Sequence, residues 1–343
     1  MARFLDSAGA LDSWKPEGPV AFSPAILFRD INRPRVVVCH DMCGGYNCDC
    51  DENYPMNCGW DVTDAFVYFS HHRVTIPPPL WIRRSHQHGV PILGTFITEW
   101  QEGYRENILV FCKSTEVRRH YARQLAAIAA HHGFDGWLVN IEAHLPPLAE
   151  IPQEAIPTDA PSGLTPHAAI VVDFLTTLRN ELHARVGPHA LVFMYDSITH
   201  GGRIQWQNGL TSENMAFFSC TDGFATNYCW DTNQLTLSTA LAASTPASSL
   251  PDHRPDPPPA SAPTDRRYDL LVGIDCFGRN TFYKEGAGCR EAVDQILATG
   301  TSVFLFAPGW AKENCPKERR ENWQLFDREF WDALGLCRVR THQ

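Results

Sequence analysis

Short apolar runs recur along the chain, and nearly every one ends in a polar or aromatic cluster. Read as strands, these runs are Arg35–His40, Ala65–Ser70, Val90–Ile97, Gly133–Glu142, Ala190–Asp196, Gly223–Cys229, Leu270–Phe277 and Ser302–Pro308. Their β-branched and aromatic content is what strands favour. Between them the apolar spacing changes to that of helices. One helix starts at Pro77-Pro78-Pro79 and runs to about His88. A second spans Thr115–His132, with Val117, Tyr121, Leu125 and Ile128 on one face and Gly133 as a left-handed cap. His167–Val186 repeats the pattern through Ile170, Val171, Phe174, Leu175, Leu178 and Leu182, and Asn322–Leu334 closes the chain as a helix. Strands alternating with helical or loop spans predict an α/β fold, a (β/α)8 TIM barrel forming one domain over residues 1–343, with its strands between roughly 35 and 310.

The fourth run carries the sharpest signal. Side chains alternate along a strand, so Asn140 and Glu142 share one face while Val139 and Ile141 share the other. An amide and a carboxyl side by side at the end of a buried strand are costly without a use. His, Asp, Glu, Asn, Tyr and Trp also gather at the C-terminal ends of the other strands, the face on which barrel enzymes build their sites.

Composition narrows the field. Lys and Arg number 29 against 39 Asp and Glu, and no basic run stands out, so a nucleic-acid partner is not expected. No run reaches the ~18 apolar residues of a membrane span, and charged residues interrupt the N-terminus early, so a cytosolic protein with no membrane association is expected. Of the twelve Cys, five crowd into Cys39–Cys58. Their spacing is not a pair of CxxC units, and the favoured reading is free thiols, with a staple or metal on Cys43, Cys48, Cys50 and Cys58 as the alternative. Ala243–Arg267, rich in Pro, Ser and Ala, reads as a disordered surface insertion between the sixth and seventh strands.

A glycosidase normally uses two carboxylates, yet here Glu142 is preceded by Asn140. In substrate-assisted hydrolysis one carboxyl is enough. The sugar's own 2-acetamido oxygen attacks the anomeric carbon, and the protein supplies an acid/base and a group that orients the acetamide. Chitinases of family eighteen use a DGxDxDxE run; this chain keeps Asp135-Gly136 and Glu142 but has Leu138 and Asn140 at the acidic positions.

These departures, with further motifs, resemble glycoside hydrolase family 85, the cytosolic type of endo-β-N-acetylglucosaminidase. The motifs are His40-Asp41-Met42 with Gly44-Gly45-Tyr46, Phe66 to His72 running into Val74-Thr75-Ile76-Pro77-Pro78, Leu93 to Trp100, and Phe134 to Glu142. They continue with Tyr195-Asp196-Ser197, Gln205 to Asn208, Asn227-Tyr228 with Trp230, Gly273-Ile274-Asp275 with Gly278-Arg279, and Phe306 to Trp310. The resemblance implies cleavage of the β-1,4 bond in the N,N′-diacetylchitobiose core of N-glycans, on glycoproteins or free oligosaccharides. Configuration is retained through an oxazoline, transglycosylation is possible, and no cofactor or metal is required. By position it makes Glu142 the acid/base, Asn140 the acetamide holder and Tyr195 its neighbour. Trp206 and Trp230 become sugar walls, and His71, Glu99, Trp100, Asn227, Asp275 and Trp310 further glycan contacts. Two alternatives remain: a chitinase-like hydrolase, which Leu138 and Asn140 argue against, and an inactive glycan-binding barrel, which retention of Asn140 and Glu142 argues against.

Overall fold

The computed structural model describes residues 4–18, 33–42, 58–247 and 264–336. Eight parallel strands follow one another in chain order: β1 (Val36–His40), β2 (Ala65–Tyr68), β3 (Ile92–Glu99), β4 (Gly136–Glu142), β5 (Leu191–Tyr195), β6 (Gly223–Ala225), β7 (Leu270–Asp275) and β8 (Ser302–Phe306). Each pairs with the next, and β8 pairs back onto β1 with Val303 opposite Val36, closing the barrel that the alternation predicts. Helices Pro79–Gln87, Trp100–Val110, Thr115–His132, Pro166–Arg185, Thr232–Ser244, Arg290–Ala298 and Trp323–Leu334 accompany the strands.

Some of these elements leave little trace in the sequence. The two-residue strands Phe4–Leu5 and Val74–Thr75 pair antiparallel with each other, and the second also pairs with β3. Helix Trp100–Val110 carries Gly103 in its interior, where glycine disfavours a helix. Glycine sits there because a Cβ would lie 2.8 Å from the Thr98 carbonyl carbon and 3.1 Å from Ala143 Cβ. That contact seats the helix against the end of the fourth strand.

Alternation along each strand splits the core in two. Val36, Val38, Phe66, Phe96, Val139, Ile141, Met194 and Ile274 belong to the outer layer, between strands and helices. Val37, Val67, Leu93, Leu138, Phe193, Leu271 and Phe304 plug the barrel interior. Each fully buried side chain of this size contributes about 1.5–3 kcal/mol, enough for the plug to offset the desolvation of polar groups above it. Leu138 faces inward and Val139 and Ile141 outward, so Asn140 and Glu142 continue the inward row toward the barrel's C-terminal mouth.

The opposite end of β4 is held by Asp135. Its carboxylate accepts the Ile92 N–H and the His86 Nε2–H, both at 2.8 Å, and lies 3.6 Å from His189 Nε2. Its backbone N–H donates to Ile92 O, and its carbonyl accepts from Leu191 N–H. Burial pushes the carboxyl up, but the bonds from His189, His86 and Ile92 outweigh it and hold the group below the ordinary range. Gly136 follows at φ +151°, where a Cβ would lie 1.8 Å from Leu191 O. The Asp135-Gly136 pair therefore ties β3, β4 and β5 together at the closed end of the barrel, remote in role from the chemistry its motif spacing invites.

The strand ends differ from the sequence reading in ways that matter for the site. β3 runs on to Glu99, beyond the expected Ile97, because Thr98 and Glu99 stay in register with Ile141 and Glu142 of β4. β6 stops at Ala225, short of Cys229, since Asn227 turns its polar groups to side-chain partners. The expected insertion is narrower than Ala243–Arg267. Pro246 bridges Asp265, and Arg266 is fully buried, bonded to Asp269 and to the Phe218 and Thr221 carbonyls. Residues 248–263 lie outside the described residues, as do Cys43, Cys48 and Cys50 and the Gly44-Gly45-Tyr46 motif. The eight described cysteines, Cys58 among them, are free thiols.

Candidate active site

Three neighbouring strand ends, β3, β4 and β5, meet at the barrel mouth. Register places Ile97 beside Asn140 and Glu99 beside Glu142, so two carboxyls face the mouth from adjacent strands. Asn140 Nδ2 donates to Glu142 Oε1 at 3.1 Å. Asn140 is buried, and its Oδ1 has no hydrogen-bond partner among the described residues. An unsatisfied buried acceptor is expensive, so its persistence marks a place for an external donor. On β5, where Met194 is in register with Val139, Tyr195 projects inward and its hydroxyl donates to Asn227 Oδ1 at 2.9 Å.

The electrostatics of the mouth set the proton positions. Burial raises the Glu142 pKa; the Asn140 bond lowers it, the neighbouring Glu99 charge raises it and the His71 charge lowers it, for a net upward shift. His71 Nδ1–H donates to both Glu99 oxygens, at 3.0 and 3.1 Å, and this bond raises the His71 pKa against the effect of its partial burial. Glu99 is thus ion-paired while Glu142 is disposed to keep its proton. Burial, and then the charge of Glu142, raise the Tyr195 phenol well above its ordinary value, so it stays a hydrogen-bond donor.

Behind this row lies a scaffold that the residue pattern alone does not expose. Asp196 is fully buried and its carboxylate accepts from Gln207 N–H (3.2 Å), Gly209 N–H (3.3 Å), Asn214 Nδ2 (2.9 Å) and Asn227 N–H (3.5 Å). Burial lifts its pKa to about 6 despite those donors. The same loop brings Asn208, at φ +54°, to accept from Asn227 Nδ2 at 2.7 Å. Tyr195, Asn227 and Asn208 therefore form one hydrogen-bonded chain, and Asp196 fixes the loop that carries Trp206. At the end of β1, burial raises Asp41 to about 6, with the Met42 N–H, the charge of His71 and that of Arg279 opposing and that of Glu313 assisting. Asp41 is thereby a third carboxyl that feels the His71 charge, a role that its place in the His40-Asp41-Met42 motif does not reveal.

The aromatic candidates divide. Trp206 is 44 % exposed and Trp100 67 % exposed. Trp100 sits at φ +58°, unusual for a bulky residue, and its ring stacks 5.9 Å from that of His71 at 19°. Both present open indole faces of the kind that receive a sugar. Trp230 does not: it is 3 % exposed, its N–H donates to Gly273 O at 2.7 Å, and it packs in the outer core. Asp275 is fully buried and pairs with Arg279 through both carboxylate oxygens (2.8 and 3.1 Å). Trp310 rests on Phe326 and Phe330 of the closing helix, with its N–H on Glu285 at 3.3 Å. The structure thus gathers Glu142, Asn140, Tyr195, Asn227, Glu99, His71 and Trp100 in one hydrogen-bonded and stacked region, with Trp206 on its loop, and commits Trp230, Asp275 and Trp310 to packing and ion pairs.

Comparison with known proteins gives the same direction. The glycosyl hydrolase family 85 model matches residues 46–341. The cytosolic endo-beta-N-acetylglucosaminidase 2 of Arabidopsis thaliana is 37% identical over 312 residues, 88% of this chain and 38% of that protein. The cytosolic endo-beta-N-acetylglucosaminidase of Gallus gallus is 35% identical over 347 residues, 96% of this chain and 41% of that protein. The chain therefore spans about two fifths of the length of these curated relatives. Among solved structures, the glycoside hydrolase domain of Endo-D from Streptococcus pneumoniae R6 superposes with a TM-score of 0.63 at 17% identity, over 94% of this chain and 49% of that one, a likeness of fold.

Proposed function

The chain belongs to glycosyl hydrolase family 85, and from that premise we propose that it is an endo-β-N-acetylglucosaminidase acting on the N,N′-diacetylchitobiose core of N-glycans. The observation that carries this reading is the pair on β4: a carboxyl disposed to hold a proton, and beside it a buried amide oxygen without a donor among the described residues. The 2-acetamido N–H of a GlcNAc supplies that donor. Held by Asn140 Oδ1, the acetamide turns its oxygen onto the anomeric carbon. Glu142 gives its proton to the departing glycosidic oxygen as the C–O bond breaks and the acetamido oxygen–carbon bond forms, leaving an oxazolinium ion whose N–H stays on Asn140 Oδ1. Glu142, now a carboxylate, takes a proton from water attacking the opposite face. The ring opens, the acetamide is restored and configuration is retained. An acceptor sugar hydroxyl in place of water gives transglycosylation. Tyr195 turns its hydroxyl proton from Asn227 Oδ1 to the acetamide oxygen, and Trp100 and Trp206 stack on the sugars. The cytosolic naming of the relatives supports a cytosolic setting.

Incubation with high-mannose, hybrid and complex glycopeptides tests the reading, products being identified by mass. Peptide retaining a single GlcNAc is the expected product; cleavage of chitin oligomers alone, or of nothing, would sink it.

The pH profile tests the assignment of the acid. Glu142 works from its protonated form, so kcat/KM falls as pH rises through its elevated pKa. The Glu99 charge lifts that pKa more than the opposing His71 charge lowers it. Glu99→Gln removes the first and weakens the second, so the alkaline limb of kcat/KM should move to lower pH. An unmoved limb would mean that another group limits the rate at high pH.

A further inference from the structure

The segments that follow β3, β4 and β5 also build a second concavity beside the mouth, of about 450 Å³. Tyr104 comes from the helix after β3, His144 to Pro147 from the segment after β4, and Gly201 to Arg203 from the loop after β5. Its walls are tied to one another. Leu145 N–H donates to Gly202 O at 2.9 Å, Ile204 N–H donates to His144 Nδ1 at 3.1 Å, and His167 Nε2–H donates to Pro146 O at 2.9 Å. They are also tied to the candidate site, since His144 lies two residues beyond Glu142 and Arg203 three before Trp206.

The lining is a set of donors. His144 uses Nδ1 as an acceptor, so its ring proton is on Nε2. Tyr104 adds a phenol. The Arg203 side chain is exposed, and among the described residues its guanidinium makes no ion pair and no hydrogen bond. Among the described residues no carboxylate lines the cavity, in a chain whose acidic residues outnumber the basic ones 39 to 29. One uncompensated guanidinium flanked by two neutral donors matches a group with one negative charge and two acceptor oxygens.

We propose that this concavity is an accessory subsite that binds a carboxylate carried by the substrate outside the bond being cleaved. Two sources share that chemistry: a carboxylated terminal sugar of the sialic acid type on the glycan, and an acidic side chain of the peptide bearing it. The inference rests on the endoglycosidase reading above, because a cavity built on the segment leaving Glu142 meets parts of the same substrate. It makes Arg203 a specificity residue without a part in bond cleavage.

The test measures kcat and KM of the full chain and of Arg203→Ala and Arg203→Glu on three glycopeptides: uncharged glycan on neutral peptide, sialylated glycan on the same peptide, and uncharged glycan on an acidic peptide. Arg203→Ala should lower kcat/KM about tenfold on a carboxylate-bearing substrate, through KM, and leave the uncharged one unchanged. Arg203→Glu should deepen the loss. Loss confined to the sialylated arm assigns the site to the sugar, loss confined to the acidic peptide assigns it to the polypeptide, and loss in both supports a site open to either. Equal change on all three substrates, or no change on either charged one, would overturn the proposal. A wild-type chain that cleaves none of the three would overturn the endoglycosidase reading itself, and this one with it.

Discussion

Glu142→Gln should remove nearly all hydrolysis of intact glycopeptides, by about 10²–10⁴-fold in kcat. The glutamine is nearly isosteric and can still accept from Asn140 Nδ2, so the mouth keeps its shape. What disappears is the proton. The leaving sugar oxygen departs as an alkoxide unless protonated, and Glu99, the other carboxyl in register, is already paired with His71. Binding of uncleaved glycopeptide should survive, so the loss falls on kcat more than on KM. Turnover of the Gln variant near the wild-type rate, measured by released glycan, would remove Glu142 from the reaction.

Asn140→Ala is expected to abolish cleavage of intact glycans as thoroughly, yet to spare a different reaction. In the proposed reaction Asn140 acts while the oxazoline ring closes, holding the acetamide N–H with a buried amide oxygen that has no partner among the described residues. A synthetic sugar oxazoline has passed that barrier before it binds. Glu142 can then act as base toward an incoming GlcNAc hydroxyl, and the variant should join donor to acceptor while scarcely degrading the product. Glu142→Gln lacks the base and should be poor at both. The contrast separates the residues by where along the reaction each acts, and not by how tightly each binds. Equal loss of oxazoline transfer in the two variants would reduce Asn140 to a support for Glu142.

The barrel and the strand that carries Asn140 and Glu142 were legible because both rest on local periodicity. Leu138 against Val139 and Ile141 already states which way Asn140 and Glu142 point. The partnership of Glu99 with Glu142 was not legible, because it depends on the register between two strands, which barrel closure sets. Trp100 and Trp230 both follow strands and read alike in the sequence. A left-handed backbone exposes the first, and a bond to the Gly273 carbonyl sinks the second into the core. Asp135-Gly136 misleads in the opposite sense. Its spacing from Glu142 resembles that of a chitinase motif, yet its carboxylate holds Ile92 and His86 at the far end of the strand. Asp196 could be located at a strand end but not interpreted, since its four donors come from a loop, a turn and the segment beyond the next strand.

The ion pair of His71 and Glu99 beside Glu142 bears on ionic strength. Below the raised pKa of His71, with Glu142 protonated, the three groups sum to zero charge. When Glu142 gives up its proton, the negative charge left on it faces the positive charge developing on the sugar in the same cleft. Charge shifts within the cleft and none is exchanged with the bulk. Mobile ions screen fields that extend into solvent, over about 8 Å at physiological salt, and have little purchase on a charge pair that forms and collapses inside a protein cleft. The chemical step should therefore run at nearly the same rate in dilute buffer and in concentrated sodium chloride. Any salt dependence of this protein would then report events at its open surface, where a guanidinium such as that of Arg203 meets the medium.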